Sequence, residues 1–116
     1  MRVGGIDMSD NELLELAANA ARYSLTKGSR GCREYLCKSG ADWNPLEDDG
    51  DALRLAAKLL IDIGQFPSEV VAAVDINDHP ETFRLIFTEP VNNEKYRGES
   101  TRRAIVRAAA RIGATP

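Results

Sequence analysis

The stretch from Trp43 to Gly64, WNPLEDDGDALRLAAKLLIDIG, constrains the fold of this chain more than any other. At about 100° per residue, Leu53, Leu55, Ala56, Ala57, Leu59, Leu60, Ile61 and Ile63 cover roughly two-thirds of a helix surface. Asp51, Arg54, Lys58 and Asp62 are left as a narrow polar strip. The pattern predicts a helix over about 48–63, buried on more than one side, with the rest of the chain packed around it. Pro45 precedes it, and Glu47, Asp48, Asp49 and Asp51 supply acid where unpaired N–H groups favour it. Gly64 is placed to take a left-handed C-cap, and Pro67 blocks continuation.

The flanking segments fall into place around that helix. A chain of 116 residues is expected to form one domain, spanning 1–116, whose core folds without metal or disulfide staples. Residues 1–7 read as an N-terminal extension, because MSDNELLELAANAA starts afresh at Met8. There Ser9 and Glu12 have capping-box spacing and lead into an amphipathic helix over about 10–23. SLTKGSRG then reads as a loop, and CREYLCK as a short strand over 31–38. Alternation in SEVVAAVDIN and TFRLIFT, joined by NDHPE, predicts a β-hairpin. EPVNNEKYRGES predicts a long polar loop over 89–99, the best candidate for a mobile segment. A last helix, TRRAIVRAAARI, carries Ala104, Ile105, Ala108, Ala109 and Ile112 as its apolar stripe and is stopped by Gly113. The order α-β-α-β-β-α implies an α+β fold in two layers, a small, mainly antiparallel sheet covered by helices.

Residues that could carry chemistry are few. Cys32 and Cys37 are the only cysteines, and an odd spacing of five on a strand points them to opposite faces. One histidine, His79, sits in the hairpin turn without a nucleophile motif, a P-loop or a metal-ligand pair elsewhere. These residue types imply no catalytic group, no metal and no cofactor, so a binding protein is expected and not an enzyme. The run Glu47, Asp48, Asp49, Gly50, Asp51 suits helix capping better than a calcium loop, since it goes straight into Leu53 and Leu55. Gly50 in the first turn suggests the close approach of another backbone segment. No apolar run approaches the roughly 20 residues of a membrane span, and no signal-peptide core precedes the first helix, which points to a cytoplasmic protein with no membrane partner.

Charge is distributed unevenly. From Arg97 to Arg111 there are five arginines and one glutamate, whereas Asp42 to Asp51 carries five acids and no base. Arg103, Arg107 and Arg111 recur every four residues, on the side away from the apolar stripe. They either pair with acids of neighbouring segments or contact phosphates; a net charge of −3 favours a protein partner over nucleic acid. Trp43 is either a core anchor or a binding hot spot. The candidate partner surface is therefore Trp43, Asp48, Asp49, Arg103, Arg107 and Arg111.

Three stretches carry a resemblance: MSDNELLELAANAA, WNPLEDDGDALRLAAKL and TRRAIVRAAARIG. They resemble a family of small phage and prophage proteins related to the NinX proteins of lambdoid phages, with a W-x-P-L-x-D-D-G-D-A-L-R-L-A motif mid-chain and R-R-A-I-V-R-A-A near the C-terminus. Glu47 departs from that pattern, which has Thr before the double Asp, and leaves Asp48 or Asp49 to cap the helix. The resemblance implies a phage accessory protein in the cytoplasm of a bacterial host. The family has no established activity, so the resemblance supplies context and no mechanism. The scarcity of histidine, the absence of catalytic spacing and the small core favour binding to a host or phage protein, most of all a host protein, for instance to inhibit a defence system. Nucleic-acid binding through the arginine face is the alternative, and a small enzyme the third reading.

Overall fold

The computed structural model describes residues 8–23, 25–27, 35–37, 42–78 and 81–114. The extension 1–7, Cys32 and His79 lie outside them. The fold is α+β, in the expected order with further short strands. Helix α1, Asp10–Ala21, is followed by strands β1, Leu25–Lys27, β2, Tyr35–Cys37, and β3, Asp42–Trp43, which form an antiparallel sheet in that order. Part of the expected loop after α1 is thus a strand, paired to β2 through Leu25 and Cys37. Helix α2 spans Asp49–Leu59 and leads into β4, Asp62–Phe66, β5, Glu69–Asp78, and β6, Glu81–Pro90. These three form a second antiparallel sheet, order β4-β5-β6. A 3-10 turn, Glu94–Tyr96, opens into helix α3, Arg97–Gly113.

Helix α1 begins as its sequence predicts. Ser9 Oγ accepts from the Glu12 N–H at 3.1 Å and Glu12 Oε1 accepts from the Ser9 N–H at 2.9 Å, closing a capping box. The Ser9 amide also holds the Glu12 carboxyl below its usual range. Leu13, Leu14, Ala17, Ala18 and Ala21 are buried.

Helix α2 is shorter than predicted and is not the centre of the fold. Asp48 caps it, accepting from the Asp51 N–H at 2.8 Å. At the other end Leu60 turns left-handed, with φ 57°, and two hydrogen bonds close the helix: Leu60 N–H to Ala57 O and Ile61 N–H to Ala56 O. Ile61 drops into the core, while Ile63 and Gly64 belong to β4. Gly64 is therefore no C-cap, and Pro67 lies in the tight turn between β4 and β5, where Phe66 pairs with Glu69. Only Ala52, Leu55 and Ala56 of α2 are buried; Leu53 is 64% exposed and Leu60 82%.

The element buried on several sides is α3. It packs against β5 and β6 on one side and against α1 and α2 on another. Ala104, Ile105, Val106, Ala108, Ala109, Ala110 and Gly113 are all buried, so Val106 and Ala110 extend the predicted stripe to a wider surface. The helix starts at Arg97, ahead of the predicted Ser100, and residues 89–99 are a structured connection where a mobile loop was expected. Glu89 and Pro90 end β6, Asn93 Oδ1 accepts from the Lys95 N–H at 3.1 Å, and Ser100 Oγ donates to Pro90 O at 2.8 Å.

The hairpin matches its alternation. Val70, Ala72, Val74 and Ile76 are buried, and opposite them stand Glu89, Phe87, Leu85 and Phe83. Ala73 is buried from the other face. No helix among the described residues is long and apolar enough to cross a membrane.

Candidate functional site: the arginines of the last helix

Four arginines leave α3 and each reaches a different part of the chain. Arg97 donates to Phe66 O at 2.9 Å, Pro67 O at 3.0 Å and Gln65 Oε1 at 2.9 Å, and pairs with Glu94. That pairing holds the Glu94 carboxyl below the usual carboxylate range and raises the guanidinium. Arg102 donates to Leu46 O at 2.9 Å and to Asp49 Oδ1 at 2.7 Å, joining α3 to the turn before α2. Arg103 pairs with Asp10 at 3.1 Å, across to the first turn of α1. Arg107 pairs with Glu89, donates to Thr88 O at 3.1 Å and lies over the Phe87 ring, 5.5 Å from its centroid. Arg111, in the last turn, is exposed.

The acidic turn is equally occupied. Asp48 caps α2, and Asp49 meets Arg102. Asp51 accepts from the Asn44 N–H at 2.9 Å through one oxygen and from Arg54 at 2.8 Å through the other. Trp43 is 4% exposed and meets the Tyr23 ring edge-on, with centroids 5.6 Å apart and planes at 83°. Its ring belongs to the core and is closed to a partner.

Of the six residues singled out from sequence, then, Trp43 is interior and Arg103 and Arg107 hold neighbouring elements. Asp48 and Asp49 organise the entry to α2. They do not converge on one patch. Arg102 and Arg97 escaped sequence reasoning: Arg102 sits beside Arg103 with no pattern to distinguish it, and Arg97 precedes the predicted helix start. Replacing Arg103, Arg107 and Arg111 together is consequently not the neutral surface change that a solvated stripe would allow, because Arg107 holds a strand carbonyl as well as Glu89.

An open groove of about 320 Å³ runs beside Arg103, its lining including Glu89, Pro90, Asn92, Asn93, Tyr96 and Glu99. It mixes both signs of charge with amides, a phenol and the Ser100 hydroxyl, which donates to Pro90 O. Among the described residues no cluster of three or more His, Cys, Asp or Glu is arranged to hold a metal ion. Comparison with known proteins finds no matching family model, curated protein or solved structure.

Proposed function

We propose that this protein works by binding another protein, in the setting that its resemblance to phage proteins suggests: a phage accessory protein engaging a host protein in the bacterial cytoplasm. The observation that carries the reading is the outer face of α2. Leu53 is 64% exposed and shares a face of α2 with exposed Ala57, and Leu60, the left-handed cap just after the helix, is 82% exposed. Exposed apolar side chains on a helix and at its end, bordered by charge, suit the helix-in-groove mode of recognition, in which apolar anchors enter a complementary groove. The α3 arginines give less support to a phosphate-binding reading, since Arg97, Arg102, Arg103 and Arg107 already have carboxylate or carbonyl partners.

The test is capture from bacterial lysate with wild type and a Leu53→Glu/Leu60→Glu variant, each with and without nuclease. Both side chains are exposed, so the variant keeps its melting temperature. The expected result is a nuclease-resistant protein partner that the double variant loses. Capture that vanishes with nuclease, or that survives the double variant, contradicts the reading; in the first case the nucleic-acid alternative takes its place.

A further inference from the structure

Strand β6 bonds to β5 on one side and, among the described residues, forms the edge of its sheet on the other. Edges of natural sheets are usually blunted by Pro, Lys, a bulge or a covering segment, because a row of unpaired N–H and C=O groups invites another strand. Between Glu81 and Glu89 there is no Pro, no Lys and no Gly. The register with β5 runs unbroken over ten pairs, from Asp78↔Glu81 to Glu69↔Pro90, so no bulge bends the edge away. Arg84 is the one cation in that run, and it is held on the sheet's own face by Asp62 and Asp75.

The direction of the free groups follows from two hydrogen bonds. Thr88 O accepts from Arg107 and Pro90 O from Ser100, so the carbonyls at these even positions point away from β5. Pro90 has no N–H to give β5, which agrees. Alternation along an antiparallel strand then turns the N–H and C=O of Thr82, Arg84 and Ile86 outward as well.

The same run, ETFRLIFTE, reads alike in both directions about Leu85 except for Arg84 and Ile86. We propose that this edge docks on a second copy of the chain: two β6 strands pair antiparallel across a two-fold axis at Leu85, joining two sheets into one of six strands. In that register even positions face even positions, so outward groups meet outward groups. Thr82 stands opposite the partner's Thr88, and Arg84 opposite the partner's Ile86. Odd positions become the closer, non-hydrogen-bonded pairs, which sets Phe83 beside the partner's Phe87 and Leu85 beside the partner's Leu85. Phe83 is 39% exposed and Ile86 62% exposed, and both gain cover in the pair. Glu81 faces the partner's Glu89, whose charge Arg107 already balances. The Thr88 carbonyl keeps a second lone pair beside its bond from Arg107. This surface is distinct from the leucines of α2, and its use does not depend on them.

Sedimentation over a range of concentrations, with wild type and Ile86→Pro, tests the pairing. The Ile86 N–H points outward, so proline there removes a donor from the new ladder while the β5–β6 bonds remain. Wild type is expected to double its mass as concentration rises, and Ile86→Pro to stay at the mass of one chain. A single-chain mass for wild type at every concentration overturns the proposal, as does a dimer that persists in Ile86→Pro. Should that variant not fold, amide exchange of wild type decides: Arg84 and Ile86 slow with rising concentration if the strands pair, and rates independent of concentration overturn it.

Discussion

Gly113→Ala is expected to destabilise this protein by about 3 kcal/mol or more, read as a fall in the midpoint of urea denaturation. A Cβ built on Gly113 would lie 1.8 Å from Leu16 O and 2.7 Å from Leu16 C, both backbone atoms of α1. Backbone cannot rotate out of the way, so α1 and α3 would have to move apart, and the 2.7 Å bond from Asn19 Nδ2 to Gly113 O would go with them. The glycine is thus required for close packing. It does not serve as the helix stop that its position suggests, because it is the last residue of α3 and the cap, Ala114, is right-handed. Gly50→Ala is the contrasting substitution: the atoms nearest its Cβ would be side-chain ends of Arg54 and Asp48 at 3.2 Å. Those ends can shift, so alanine there should be neutral or gain up to about 1 kcal/mol. A Gly113→Ala midpoint equal to that of wild type would contradict the packing of α1 on α3.

Leu55→Ala is expected to cost about 2–5 kcal/mol, since the side chain is 0% exposed and truncation leaves a cavity. Leu60→Gly should do the opposite. Leu60 is 82% exposed and left-handed, a conformation that costs an L residue about 1–2 kcal/mol and glycine far less. After the extra chain entropy of glycine is subtracted, the gain is up to about 1 kcal/mol. Denaturation midpoints moving in opposite directions check both; a loss at Leu60 as large as that at Leu55 would mean that α2 continues beyond Leu59.

The contrast between those two leucines shows where the sequence is readable. α1 is legible because its capping box and its apolar spacing are both local signals. The hairpin is legible because Val70, Ala72, Val74 and Ile76 keep a strict period of two. The end of α2 is not, because LLIDI suits a helix or a strand equally, and a left-handed leucine carries no signature. α3 is legible in part: Arg103 and Arg107 pair with acids of neighbouring segments, one of the two roles their spacing allows. What the sequence does not show is that guanidiniums of this helix also reach backbone carbonyls such as those of Leu46 and Thr88. The candidate site shares that fate. Arg102 and Asp49 are 53 residues apart, and Arg103 and Asp10 are 93 apart, so no local pattern pairs them.

Helix α3, not α2, is the element around which the chain packs. Native-state hydrogen exchange tests it directly, because amides in the best-protected element exchange only when the whole domain unfolds. The predicted result is that Ala108, Ala109 and Ala110 exchange most slowly, with free energies matching global unfolding, while Ala57 and Lys58 on the outer side of α2 exchange through local opening. Slowest exchange in α2, with α3 opening locally ahead of it, would rule out a core centred on α3.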